Sequence, residues 1–156
     1  QQPAKDDTNS RLKAIFIYNF SKYVEWPDKY KEGNFVITVC GGSVNLTNEL
    51  KNITNSKSLG AQKYEIRTVN DLQNVGHTNI LFMAGNSAFP VKDINAIMKG
   101  KSTLLVTEKT GMTKQGAAIN FVVVENKQKF ELNQANAEKY NLKVGNDLIA
   151  LSIPVK

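Results

Sequence analysis

A chain of 156 residues suits one domain, large enough to bury roughly 70% of its unfolded surface. Its 41% hydrophobic and 22% charged residues exclude a disordered or low-complexity polypeptide. The net charge of +6 favours anionic partners, but the lysines are scattered, with only short clusters such as Lys99-Gly100-Lys101, so no nucleic-acid-binding patch is expected.

Residues 1–10, QQPAKDDTNS, are polar and are expected to form a flexible N-terminus, a mature or trimmed end from which any signal peptide has gone. Arg11 to Glu25 reads as a helix. Leu12, Ile15, Phe16, Asn19, Phe20, Tyr23 and Val24 recur at the three-and-four spacing of one face. Ser10 is a suitable N-cap, with Asn9 and Thr8 as rivals. Pro27 stops the helix because it disfavours helical geometry at Trp26. Asn19 lies within the apolar face, where an unpartnered amide would cost about 1–3 kcal/mol, so it should be hydrogen-bonded. Trp26 is the only tryptophan, and burying its ring removes roughly 150–250 Å² from water. Asn19, Trp26 and Pro27 are therefore expected to be structural anchors.

Phe35 to Cys40, Asn79 to Ala84 and Thr103 to Val106 are short apolar runs that read as buried strands. Tyr64 to Val69 alternates and reads as a further strand. Weak helical patterns fall at Val44 to Asn52, with Leu46 and Leu50 inward, and after Pro90, with Ile94, Ile97 and Met98 inward and Gly100 at the end. This alternation argues for a sheet with parallel segments and helices on both faces. The tail differs. Ala117 to Val124 and Lys127 to Leu132 read as two strands joined by a two-residue turn at Glu125-Asn126. Asn133 should cap a helix reaching about Tyr140, and Gly145 stands where a cap is needed for Asn146 to Leu151, a place where serine would serve better. Pro154 is expected to end regular structure. The fold class expected is α/β: a single-domain mixed sheet over residues 11–156, with helices on both faces and an antiparallel C-terminal hairpin.

Catalytic and metal chemistry find little support. One cysteine, Cys40, and one histidine, His77, can form neither an intrachain disulfide nor a Cys/His zinc site. Cys40 ends an apolar run, where an inert packed thiol is expected rather than a nucleophile. Gly41-Gly42-Ser43 between a strand and a helix suggests a phosphate loop, yet no GxGxxG and no Walker lysine accompany it. No paired carboxylates stand at diagnostic spacing. No catalytic residue, cofactor or metal is expected, and no apolar run approaches the ~20 residues of a membrane span.

Lys13-Ala14 through Phe20, followed by Tyr23-Val24-Glu25-Trp26-Pro27, resembles the opening signature of YfiR-like proteins, roughly KAAFLYNFAKFVEWP. The likeness continues along the chain in the same order. Val36 to Gly41, Asn79 to Met83 and Leu104 to Thr107 are similar to the family's strands. Gln115 to Phe121 is similar to GGMINFV, Phe130 to Asn133 to FEIN, and Leu142 to Gly145 with Leu148 to Leu151 to LKLSSRLLRLA. Three departures stand out. The paired cysteines common in the family are absent, His77-Thr78 falls where a cysteine often precedes the central strand, and Gln115 and Ala118 replace the first glycine and the methionine of GGM. Redox regulation is therefore not carried over.

The resemblance implies a non-enzymatic periplasmic protein of a Gram-negative bacterium that binds the outward domain of an inner-membrane signalling protein, a diguanylate cyclase or a kinase. A homodimer is a further state it allows, and neither nucleic acid nor direct membrane insertion is implied. The partner surface is expected on the C-terminal hairpin and last helix, at Asn120, Lys129, Glu131 and Asn133. On strand alternation, Phe130 and Leu132 should face the core and Lys129 and Glu131 the outside. Asn120 and Asn133 also have a simpler reading as hydrogen-bonded scaffold. A different class of function remains beside this one: small-molecule sensing at the carboxyl ends of the strands, near Gly41-Gly42, Gly85 and Glu108.

Overall fold

A long helix leads into the sheet. The computed structural model describes residues 5–42, 44–87 and 89–156, and its first elements are α1 (Lys5–Tyr23), β1 (Val24–Glu25), β2 (Phe35–Cys40), α2 (Val44–Thr54), β3 (Ser58–Leu59) and β4 (Gln62–Val69). Then come β5 (Ile80–Met83), α3 (Val91–Met98), β6 (Leu104–Thr107), β7 (Ile119–Val124), β8 (Lys127–Leu132), α4 (Gln134–Lys139), β9 (Lys143–Val144), α5 (Asn146–Leu151) and β10 (Ile153–Pro154). Eight strands form one mixed sheet in the order β10-β8-β7-β6-β5-β2-β4-β3. Strands β4, β2, β5, β6 and β7 run parallel, β8 is antiparallel to β7 and parallel to β10, β3 is antiparallel to β4, and β1 pairs separately with β9.

The parallel centre follows from composition. Strands β2, β5 and β6 are buried at every position, as uncharged strands covered on both faces must be. The β2–α2–β4 and β5–α3–β6 units progress in opposite directions along the sheet, so right-handed crossovers place α2 and α3 on opposite faces. The C-terminal hairpin turns at Glu125 and Asn126, whose φ angles of 51° and 63° are those of a two-residue turn matched to strand twist.

The first helix departs from expectation in three ways. No proline or glycine interrupts Lys5 to Ser10, and α1 begins at Lys5, so Ser10 is a buried interior residue and not a cap. Residues 1–4 lie outside the described residues. The helix also ends at Tyr23, because Val24 and Glu25 leave it to pair with Val144 and Lys143. Its buried face is rotated as well. Ala14, Ile17, Phe20 and Ser21 are buried, whereas Leu12 and Ile15 are 38% and 41% exposed. Phe16 and Phe20 meet Phe121 and Phe130 of the hairpin, while Tyr18 and Ser21 meet Tyr64 of β4. The helix thus bridges both ends of the sheet and needs two contact lines where a single stripe was expected. Asn19 falls outside both lines, is only half-buried, and makes no side-chain hydrogen bond to another described residue, so the buried, partnered amide expected there is not found. Pro154 also departs from expectation: it lies in β10, whose partner is Leu132 at the edge of the sheet, where a missing N–H is tolerated.

Cys40 is wholly buried, and burial, with a smaller contribution from the Asp71 carboxylate, raises its thiol pKa. Native protein should therefore react slowly with a thiol reagent at neutral pH and denatured protein promptly. Prompt stoichiometric labelling of the native state would contradict this packing.

Candidate functional site

Two regions of the molecule gather the residues singled out by sequence, and they lie on different parts of the sheet. The first is the C-terminal hairpin. Along β8, burial alternates as expected: Gln128, Phe130 and Leu132 are buried, Lys127 and Lys129 are exposed, and Glu131 is half-buried. Glu131 stands in register with Asn120 of β7, which stands in register with Thr107 of β6. The three side chains are joined. Thr107 Oγ1 donates to Asn120 Oδ1 at 2.7 Å, and Asn120 Nδ2 donates to Glu131 Oε1 at 3.3 Å. Asn120 is fully buried, so its amide orients the Glu131 carboxylate from within and does not itself reach the surface. Asn133 is 6% exposed and caps α4, its Oδ1 accepting from the Asn136 N–H at 3.0 Å. Of the four residues named from sequence, Lys129 and Glu131 therefore reach the outer surface, and Asn120 and Asn133 support them. The tip beyond them exposes Val123 and Val124 beside Glu125, Asn126 and Lys127.

The second region is a cleft of about 720 Å³ at the amino ends of the parallel strands. Val24, Trp26, Tyr30, Phe35 and Leu59 supply its apolar walls, and Lys22, Glu25, Lys31, Lys143 and Asp147 its charged lining. It is assembled by backbone pairing between chain segments far apart in sequence: β1 with β9, and the Gly145 N–H with the Tyr23 carbonyl at 2.8 Å. A Cβ at Gly145 would stand 2.9 Å from that carbonyl oxygen, which is why glycine occupies a cap position that serine would otherwise suit. Gly145→Ala should accordingly lower stability by about 1–3 kcal/mol by prising α5 from α1. An unchanged melting temperature in that variant would show that the approach is not needed.

The anchor of this region is Trp26. It is 5% exposed, meets Phe35 edge-on at 5.0 Å, and donates from Nε1 to the Asn79 carbonyl at 3.2 Å. Asn79 is the residue that sequence reasoning missed. It was assigned only as a strand start, yet its Oδ1 accepts from the Val36 N–H at 3.0 Å and its Nδ2 donates to the Tyr30 carbonyl at 2.9 Å. A polar residue opening an apolar run was the available signal. Tyr30 adds to the same junction, its hydroxyl accepting from the Ser102 N–H at 2.9 Å and its carbonyl from Gln62 Nε2 at 3.0 Å.

At the carboxyl ends of the strands, the place where sheets of this class commonly hold ligands, the groups near Gly42, Gly85 and Glu108 are bonded to one another, beside a smaller cavity of about 350 Å³ lined by Lys13, Glu108, Thr110 and Phe121. Asn86 Oδ1 accepts from the Gly42 N–H at 3.0 Å. The two oxygens of Glu108 accept from the Gly85 N–H and from Lys13 Nζ, each at 2.7 Å. A Cβ on Gly42 would lie 2.8 Å from the Ala84 side chain. Ser43, the third residue of the suspected phosphate loop, and Ala88 lie outside the described residues. Among the described residues no group of acidic, histidine and cysteine side chains is arranged to hold a metal ion, and no helix is long and apolar enough to cross a membrane.

Comparison with known proteins places this geometry. Residues 10–153 match the YfiR/HmsC-like family. The chain belongs to that family. The matched span includes α1 from Ser10 onward, the Trp26 junction and the hairpin, so it covers both regions described above. The fold is similar to that of a crystal structure of a conserved domain protein from Vibrio cholerae O1 biovar El Tor str. N16961, with a TM-score of 0.62 and 12% identity. That similarity covers 94% of this chain and 60% of the Vibrio chain, and so concerns the fold alone. No curated protein matches the chain.

Proposed function

We propose that this protein is a non-enzymatic periplasmic regulator that binds the outward-facing domain of an inner-membrane signalling enzyme, a diguanylate cyclase or a kinase, through the outer face of its C-terminal hairpin. Membership of the YfiR/HmsC-like family over residues 10–153 is the observation that carries this reading. The hairpin supports it physically. Lys129 and Glu131 are adjacent charges of opposite sign on a strand held rigid by the Thr107–Asn120 hydrogen bond and by Phe130 and Leu132 beneath. Pre-organised side chains lose less entropy on docking, and charge patterns select partners more than they add affinity. The exposed valines at the tip supply apolar area beside those charges.

The test is a Lys129→Glu, Glu131→Gln double variant, in which the glutamine oxygen keeps the acceptor for Asn120 Nδ2. Surface substitutions usually cost under about 0.5 kcal/mol, so the melting temperature should stay within about a degree or two. Binding to the membrane partner, or repression of it, should fall by at least about tenfold. Full retention of binding by the folded variant would remove this face from the account.

The 720 Å³ cleft favours a second reading, in which a small organic ligand with an apolar body binds beside Trp26 and Tyr30. A rise in melting temperature with one member of a metabolite panel, lost in a Tyr30→Ala variant, would support it. This reading moves the ligand from the carboxyl ends of the strands to their amino ends.

A further inference from the structure

The sheet has a second edge, far from the hairpin, and it is left open. At that edge β3 pairs with β4 only through Ser58↔Lys63 and Leu59↔Gln62. On its other side β4 is paired with β2 from Tyr64 to Val69. The Gly41 N–H donates to the Val69 carbonyl across that inner ladder. Backbone groups alternate in direction along a strand, so those of Tyr64, Ile66 and Thr68 point away from β2; Tyr64 stands opposite Lys57, in register with β3, and Ile66 and Thr68 lie beyond it. Among the described residues no strand meets them. An open edge of this kind is normally blunted or used.

A groove runs beside this edge, between it and the end of α2. It has a volume of about 590 Å³. Tyr64 and Ile66 of β4, both half-buried, form its apolar floor. Its charged lining is Lys51, Lys57 and Lys63, all exposed, with no acidic side chain among the lining residues. An apolar floor beneath alternate positions of an unpaired strand, flanked by three cations, is the arrangement that strand addition uses. Main-chain hydrogen bonds supply affinity, and the groove reads every second side chain.

We propose that the β4 edge is a docking rail for an extended acidic segment of a partner protein, which adds a strand alongside Glu65 to Thr68 and lays its carboxylates against Lys51, Lys57 and Lys63. The bound segment continues the line that β3 leaves after two residues. A second copy of this chain is the wrong occupant, because edge-to-edge pairing would bring the same three lysines together from both copies. This surface is separate from the hairpin and does not depend on what the hairpin binds.

The test uses the full chain and a capped peptide of roughly ten residues that alternates valine and glutamate. Hydrogen exchange should slow at the Ile66 and Thr68 amides on adding the peptide, and not at β8. Binding should weaken by about tenfold or more in a Lys51→Glu, Lys57→Glu, Lys63→Glu variant, and as salt rises. A peptide N-methylated at alternate residues keeps every carboxylate but cannot form the ladder, and it should not bind. This arm needs no variant of the protein. Absence of protection at β4, equal binding of the N-methylated peptide, or equal binding of a valine–lysine peptide would each overturn the proposal. So would a dimer in sedimentation that loses its stability when these lysines are reversed in charge.

Discussion

Replacing Trp26 by alanine is expected to lower the unfolding free energy by about 3–5 kcal/mol, the usual range for removing a buried large aromatic side chain. The ring is 5% exposed and lies against Phe35 at 5.0 Å with a perpendicular interplanar angle. Edge-on aromatic pairs add about 0.5–1.5 kcal/mol beyond burial. The indole N–H also holds the Asn79 carbonyl, and its loss removes a buried hydrogen bond. For a domain of this size such a change lowers the melting temperature by about 6–20 °C. The native fluorescence should be blue-shifted, and a native emission maximum like that of free tryptophan in water would contradict the packing described. Trp26→Phe should recover most of the apolar term but not the hydrogen bond.

Asn79→Ala should have an effect of similar size for a different reason. The substitution removes little apolar surface. It leaves the buried Val36 N–H without its acceptor at 3.0 Å and removes one of the two donors to the Tyr30 carbonyl, at 2.9 Å, the Gln62 amide remaining. The unsatisfied Val36 N–H costs about 1–3 kcal/mol and the lost hydrogen bond at Tyr30 about 0.5–1.5 kcal/mol, so the sum is about 1.5–4.5 kcal/mol and the melting temperature should fall by about 3–18 °C. Asn79→Asp keeps the acceptor for Val36 but turns a carboxylate toward the Tyr30 carbonyl, so it should not rescue. Chemical denaturation of the two variants beside the parent checks this. A loss below about 1 kcal/mol in Asn79→Ala would mean that water replaces the amide, and that the junction is softer than its hydrogen bonds indicate.

Both residues belong to the part of the molecule that was only half legible in the sequence. Period-two and buried-run patterns identified β2, β4, β5 and β6, because uncharged runs such as Phe35 to Cys40 have no alternative to a covered strand. The hairpin was legible for the same reason, and its turn at Glu125-Asn126 and the cap at Asn133 follow from local chemistry. What failed were features set by distant segments. Ser10 has a cap's chemistry but sits inside a helix whose start is earlier. Leu12 and Ile15 have the right spacing for a core face, yet the helix turns Ala14 and Ile17 inward instead. The two-residue strands β1, β9 and β10 carry no periodicity at all and exist only because their partners are brought near. Gly145 looked like a poor cap until the Tyr23 carbonyl stood beside it.

The candidate site divides in the same way. Alternation along β8 assigned the outward positions of Lys129 and Glu131, but no local pattern could show that Asn120 is fully buried and tethers the Glu131 carboxylate. The cleft was invisible, since its walls come from α1, the β3–β4 turn and the segment before α5.

In the proposed function the hairpin face meets a membrane signalling protein in the periplasm. The most direct measurement places a photo-crosslinking side chain at position 129 in the full chain, irradiates intact cells, and identifies the adduct. An inner-membrane protein with a periplasmic domain and a cytoplasmic cyclase or kinase domain should be captured from position 129 and not from the exposed position 32, in the connector before β2. Equal capture from both positions, or adducts at 129 that contain no membrane protein, would contradict the account.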